Sequence, residues 1–166
     1  CLTCWPEDGW IRTDMLACSM RAENANNHLG KILAAVGAAG RLDNARSVAA
    51  SEHGMPFPRG RGQAYEASNH SPLAVRCQQG ISGSGRVVTD YVSFADIAPT
   101  FLEAAGVAKL TPVMQPVSGR SLFDIFRSSK SGRVIASRDH VLIGKERHDI
   151  GRPNNRAHPI RGIVKD

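Results

Sequence analysis

The sequence predicts an α/β protein with a mixed sheet, flanking helices and a small antiparallel sheet near its C-terminus. One observation is a long segment with apolar residues spaced three and four apart, followed by two short apolar segments typical of strands. Another is the change after Arg133 to short strand-like segments separated by polar residues. This order favours an α/β core over residues 1–110 and a C-terminal subdomain over residues 111–166.

The first helix is predicted to begin near Thr13 or Asp14, since either residue can cap a helix. Gly40 lies where a left-handed C-cap residue would end it. Apolar residues at helical spacing place one stripe on one face: Cys18, Ala22, Ala25, Leu29, Ile32 and Val36.

Two short buried strands are predicted over residues 45–51 and 72–77. The first, ARSVAAS, contains one β-branched residue and one arginine, so propensity alone leaves helix and strand open. Between them, residues 51–66 cannot form a helix because prolines and glycines interrupt the segment. A shaped loop after a strand is where open α/β sheets place their ligands.

Shorter elements follow in the second half of the chain. Helices are predicted over residues 94–105, ending at Gly106, and over residues 121–127. The strand-like segments are VIAS (134–137), HVLIG (140–144) and PIRGIV (159–164).

Composition narrows the classes of partner. The 166 residues carry a net charge of +6, which favours anionic partners such as sulfated or phosphorylated substrates or nucleic acid. The basic residues are scattered and lack aromatic interleaving, which argues against nucleic-acid binding. No apolar run approaches the roughly 18 residues that a membrane span needs.

Neither the cysteines nor the first residues indicate a special structure at the start of the chain. Four cysteines make a poor disulfide framework in a chain of this length, and the C-x-x-C spacing of Cys1 and Cys4 has no second pair. We interpret them as ordinary thiols. The chain begins on Cys1 without a signal segment, so we expect a piece of a longer protein and assign no location.

Residues 51–66, SEHGMPFPRGRGQAYE, resemble the sulfatase pattern S-D-H-G-M-P-F-P-x-x-K/R-G-x-x-Y-E. The resemblance includes the branch with bacterial sulfatases and heparan N-sulfatases, and it continues in order through four further blocks. These blocks are RVVTDYVSFADIAPTFLEAAGV (86–107), GRSLFDIF (119–126), GKERHD (144–149) and HPIRGIVKD (158–166). The resemblance implies the C-terminal part of an alkaline-phosphatase-like fold that hydrolyses sulfate from a sulfated sugar or similar substrate.

In that family the nucleophile is a formylglycine made within a C/S-x-P-S-R motif, which two aspartate metal ligands precede. This chain contains no such motif. The resemblance therefore implies that the formylglycine belongs to an N-terminal part outside this chain, and that the chain alone is inactive.

The resemblance also implies the second half of a metal site. Glu52 and His53 occupy the positions of the remaining ligands of a divalent metal, calcium or alternatively magnesium. A carboxylate suits either ion, although glutamate is one methylene longer than the family's aspartate and imidazole is softer than calcium prefers. The alternative is a solvated surface pair.

Three further residues are implied at the substrate. Arg61 corresponds to the Lys or Arg that binds the sulfate, and a guanidinium matches paired anionic oxygens. His148 corresponds to a histidine near the substrate that could orient the sugar or protonate the leaving group, and Arg147 would line the same rim. Each has the alternative of an ordinary surface residue. Ser68 and His70 replace a Gly and an Arg of the family pattern, which indicates a divergent member.

The leading hypothesis is thus a sulfatase segment whose partner is an anionic sulfated small molecule or glycan. The alternative is a non-catalytic anion-binding or interaction domain derived from that fold, and a basic nucleic-acid-binding module is third. The sequence assigns neither the exact substrate nor the oligomeric state.

Overall fold

The computed structural model describes residues 5–107, 115–146, 154 and 159–165. These residues divide into two compact units, Cys1–Gln79 and Gly80–Asp166. The predicted domain boundary near residue 110 adjoins residues outside the description, so the two predicted domains stay a prediction.

Helices and strands alternate along the described residues, as expected for an α/β protein. The helices are α1 Gly9–Ala38, α2 Glu66–Asn69, α3 Ile97–Ala104 and α4 Phe123–Phe126. The strands are β1 Ser47–Ala50, β2 Leu73–Arg76, β3 His140–Lys145 and β4 Ile160–Lys165. β1 pairs with β2 and β3 with β4, both antiparallel, so the small C-terminal sheet is confirmed. The described residues form these two small sheets instead of the predicted mixed sheet.

Helix α1 begins before the predicted cap. The Asp8 side chain accepts a hydrogen bond from the Trp10 amide at 2.7 Å and so caps the helix five residues before Thr13. Thr13 instead lies within the helix and donates its hydroxyl to the Gly9 carbonyl at 2.8 Å. The predicted end is confirmed, since Gly40 has φ +65° and its amide donates to the Gly37 carbonyl.

The apolar stripe of α1 is only partly covered. No residue of α1 is buried; Cys18, Leu29 and Val36 of the predicted stripe are half-buried, whereas Ile32 is 60% exposed. Periodicity therefore located the helix correctly, but the described residues cover its apolar face only in part.

The first sheet is small and only half-buried. Val48 pairs with Val75, and the residues of β1 and β2 range from half-buried to exposed. The two predicted strands are confirmed in place, whereas the prediction that they are buried is wrong because two strands cannot cover each other. Arg76 connects this sheet to the 3-10 turn Leu42–Asn44 that follows α1, by donating to the Leu42 carbonyl at 3.0 Å.

The core of the second unit combines three apolar side chains, Leu122, Ile125 and Phe126, with a buried arginine. Arg138 is 5% exposed and donates to the carboxylates of Asp96 and Asp124 at 2.9 and 3.1 Å. It also donates to the carbonyls of Arg120 and Ser121. This arginine holds the segment before α3 against α4.

The predicted strand over residues 134–137 is wrong. The amides of Val134 and Ile135 donate to the Asp90 carboxylate at 2.8 and 2.6 Å. A side chain thus replaces the neighbouring strand that these amides would otherwise need. Among the described residues, no helix is long and apolar enough to cross a membrane.

Candidate functional site

The candidate site is the loop that leaves β1 at Ser51. Its backbone is folded back on itself by four local hydrogen bonds. They run from Phe57 to the Met55 carbonyl, from Gly60 to Phe57, from Arg61 to Met55 and from Gln63 to Gly60. The donor–acceptor distances lie between 2.8 and 3.2 Å, so the loop has a defined shape over residues 55–63.

Two glycines allow backbone contacts that no side chain would permit. A Cβ at Gly54, where φ is +64°, would lie 2.0 Å from the Ala67 carbonyl oxygen in α2. A Cβ at Gly60 would lie 2.3 Å from the Met55 carbonyl oxygen. Gly54 therefore packs the start of the loop directly on α2, and Gly60 closes the turn.

An aromatic contact supports the middle of the loop. The rings of Trp5 and Phe57 lie 4.6 Å apart between centroids and are tilted by 35°. Such a pair adds a modest stabilisation beyond the area that it buries. The loop is thus held by its own hydrogen bonds, by α2 and by this ring pair.

Glu52 and His53 are adjacent at the start of this loop. An Oε2 oxygen of Glu52 lies 3.6 Å from Nε2 of His53, and the two side chains are 73% and 54% exposed. His53 has φ +59°, a left-handed conformation that is uncommon for a residue with a side chain. The loop thus places an oxygen and a nitrogen donor side by side and open to solvent.

These two donors fit part of a divalent-cation site. The carboxylate oxygen suits calcium or magnesium, and the imidazole nitrogen is a weaker match. Within the described ranges, no three His, Cys, Asp or Glu side chains gather to hold a metal ion. Glu52 and His53 would therefore need further oxygen ligands from outside the described residues.

Arg61 lies in the same loop, directly after Gly60, and its side chain is exposed. The same loop thus contains three of the five predicted site residues: Glu52, His53 and Arg61. The other two, Arg147 and His148, lie outside the described residues, and their placement stays a prediction.

Of the family departures noted in the sequence, Ser68 lies on α2 and His70 directly follows it as the C-cap residue. Ser68 is 4% exposed, in the short helix against which Gly54 packs. His70 Nδ1 lies 3.4 Å from Glu66 Oε1, and both side chains are exposed. A serine in place of the family's glycine is therefore accommodated as a buried residue beneath the loop.

Sequence reasoning missed two features of this chain. The left-handed backbone of Arg59, at φ +66°, has no signal in a residue pattern that reads only as a glycine-rich loop. The ion pair of Arg138 with Asp96 was also not predicted. The signal visible at Asp96 was the S-x-x-D spacing of the capping box that it forms with Ser93.

Comparison with known proteins finds three curated relatives. The chain is 32% identical over 117 residues to arylsulfatase K of Xenopus laevis, covering 68% of this chain and 21% of that protein. It is 30% identical over 98 residues to N-sulphoglucosamine sulphohydrolase of Homo sapiens, covering 59% of this chain and 20% of that protein. It is 26% identical over 134 residues to an ulvan-active sulfatase of Formosa agariphila, covering 81% of this chain and 22% of that protein.

No family model matches the chain. The chain spans about a fifth of the length of the curated relatives that it matches. All three relatives carry sulfatase or sulphohydrolase names and align with most of this chain. The chain is therefore similar to sulfatases over most of its sequence, which confirms the family resemblance of its ordered sequence blocks.

Proposed function

We propose that this chain supplies the metal- and sulfate-binding part of a sulfatase active site of alkaline-phosphatase-like fold. The observation that carries the proposal is the pairing of Glu52 and His53, 3.6 Å apart, in a loop that also holds Arg61. The complete site would hydrolyse a sulfate ester or an N-sulfo group with the assistance of a divalent metal.

Glu52 would supply a carboxylate oxygen to calcium or magnesium, and His53 would lie beside it as a second donor. A bound cation neutralises charge on the sulfate oxygens. The Arg61 guanidinium, exposed in the same loop, would donate to those oxygens as a charge-assisted pair of hydrogen bonds. Each residue thus has a task that matches its chemistry.

His148 and Arg147 would complete the substrate side of the site. An imidazole can donate or accept a proton near neutral pH, so His148 would orient the sugar or protonate its leaving group. The formylglycine nucleophile of the family would come from a C/S-x-P-S-R motif that these 166 residues do not contain. The substrate class is a sulfated sugar, which the net charge of +6 supports.

Calcium titration by calorimetry tests the proposal on the chain completed with the N-terminal part of a sulfatase, which supplies the remaining ligands. Glu52→Ala is expected to remove calcium binding because it removes the oxygen ligand. Glu66→Ala is the matched control, since its carboxylate is also exposed in the same unit but lies beside His70 on α2. Equal calcium binding by the parent chain and by Glu52→Ala would refute the metal assignment.

The sulfate contact is tested separately with inorganic sulfate. Arg61→Ala is expected to weaken binding, whereas Arg21→Gln, which removes a charge from α1, is expected to leave it unchanged. Sulfate binding that depends on Arg61 but needs no metal ligand would instead favour the non-catalytic anion-binding domain.

A further inference from the structure

Arg59 has an unusual backbone conformation for an arginine. Its φ is +66°, in the left-handed region that glycine adopts readily and that a side chain disfavours. Residues held in such conformations persist only where their surroundings impose them, and they are found most often at ligand-binding sites. An arginine here, where glycine would be easier, therefore needs an explanation.

The turn around Arg59 imposes this conformation. Gly60 is buried and lies so close to the Met55 carbonyl that a Cβ would not fit. Hydrogen bonds from Gly60 to Phe57, at 2.9 Å, and from Arg61 to Met55, at 3.2 Å, fix the residues on each side. Arg59 and Arg61 thus leave one rigid turn on either side of a buried glycine.

Both arginines remain without an acidic partner among the residues that the structure describes. Some exposed arginines elsewhere are paired with carboxylates, as in Arg12 with Glu7 and Arg127 with Glu103, whereas Arg21 on α1 is exposed and has no carboxylate partner among the described residues. Glu52, at the start of the same loop, lies beside His53 instead. The turn therefore presents two uncompensated, exposed cations within three residues.

We infer that Arg59 is a second anion-binding residue, which makes this loop prefer sugars that carry two anionic groups over those that carry one. The inference rests on the proposed function, in which Arg61 contacts the sulfate that is removed. Arg59 would contact another sulfate or a carboxylate of the same sugar. A guanidinium suits either group because its N–H donors match paired oxygens.

The test compares two probes on the full chain by NMR titration: glucosamine N-sulfate and glucosamine N,6-O-disulfate. Arg59→Asn removes the charge but keeps the left-handed backbone, which asparagine tolerates. It is expected to lower the affinity for the disulfate by about tenfold and to change the affinity for the monosulfate by less than about twofold. Arg61→Ala is expected to lower both affinities by similar factors.

Arg21→Gln is the matched control, since it removes one exposed charge of the same type from α1. An equal loss in Arg21→Gln would show a general field effect and overturn the inference. The inference would also be overturned if Arg59→Asn left the affinity for both probes unchanged or reduced both equally. Because Arg61→Ala reports on the proposed function by itself, a loss there with no selective effect at Arg59 overturns only the inference. If Arg61→Ala changes neither affinity, the proposed sulfate contact fails and the inference fails with it.

Discussion

The guanidinium of Arg138 donates to the Asp96 carboxylate at 2.9 Å, and these side chains are only 4% and 9% exposed. Arg138 also pairs with Asp124 at 3.1 Å. One buried cation therefore compensates two carboxylates from separate segments of the second unit. Breaking such a pair from one side leaves charge in a place that water does not reach.

We expect Arg138→Ala to lower the free energy of unfolding by about 3–5 kcal/mol, because the buried Asp96 would lose its compensating charge, although Asp124 keeps its ion pair with Arg120 at 2.7 Å. Urea denaturation of the full chain measures the change. Arg21→Ala provides a surface control, for which a change within about 0.5 kcal/mol is expected. A loss in Arg138→Ala no larger than in the control would show that the ion pair contributes little.

Gly54→Ala should destabilise the chain more than Gly40→Ala. The two glycines have nearly equal φ, +64° and +65°, but a Cβ at Gly40 meets nothing within 4 Å, whereas at Gly54 it meets the Ala67 carbonyl oxygen at 2.0 Å. Gly40→Ala should therefore cost about 1–2 kcal/mol for the backbone conformation alone. Gly54→Ala should cost about 1–3 kcal/mol more because α2 or the loop must move.

Thermal and urea unfolding of both glycine variants decide this prediction. Equal destabilisation would mean that the loop can move away from Ala67 without a measurable cost in free energy. The packing of Gly54 on α2 would then have no role in positioning Glu52 and His53.

Glu52→Asp is expected to raise calcium affinity by about tenfold, since changes even beyond the direct ligands of a metal commonly alter affinity by that factor or more. The shorter side chain restores the carboxylate position that the family pattern implies. Calorimetric calcium titration of the two chains, each completed with the N-terminal part of a sulfatase, is the measurement. Weaker or unchanged binding by the aspartate chain would remove position 52 from the ligand set.

The 166-residue chain alone is expected to hydrolyse no sulfate ester, because it contains no C/S-x-P-S-R motif from which a formylglycine could form. A chromogenic aryl sulfate assayed with calcium gives the answer. Turnover above the buffer blank would contradict the expectation if Arg61→Ala abolished it.

Local signals predicted the ends and positions of several elements correctly. Gly40 and Gly106 both adopt positive φ where the sequence placed helix ends, because glycine most readily adopts the left-handed conformation that ends many helices. The strands β3 and β4 also lie within one residue of the strand-like segments predicted for them. In each case the determining residues are neighbours in the chain.

Longer-range contacts could not be predicted in the same way. Val134 and Ile135 have strand-like composition, but their amides bind Asp90, 44 and 45 residues earlier in the chain. Similarly, nothing in the residues around Asp8 ranks it above Thr13 as a helix cap, since both types cap helices well. Such choices depend on which partners the fold brings close.

Some features of the candidate site were predicted from the sequence, and others were not. The family pattern gave Glu52 and Arg61 a common loop, which the structure confirms. The left-handed conformations of His53 and Arg59, and the contact of Gly54 with α2, arise from tertiary packing that the pattern does not encode. Identity and order of the residues were therefore predictable, whereas their three-dimensional support was not.

The lack of buried residues in α1 has a consequence for its amide protons. Amides in α3 and α4 can open only when contacts with the core of the second unit break, because Thr100, Ile125 and Phe126 are buried there. Amides in α1, whose 30 residues include none that is buried, are protected mainly by the local helix–coil equilibrium. Hydrogen exchange along α1 should accordingly be faster than in α3, and fastest toward the helix ends.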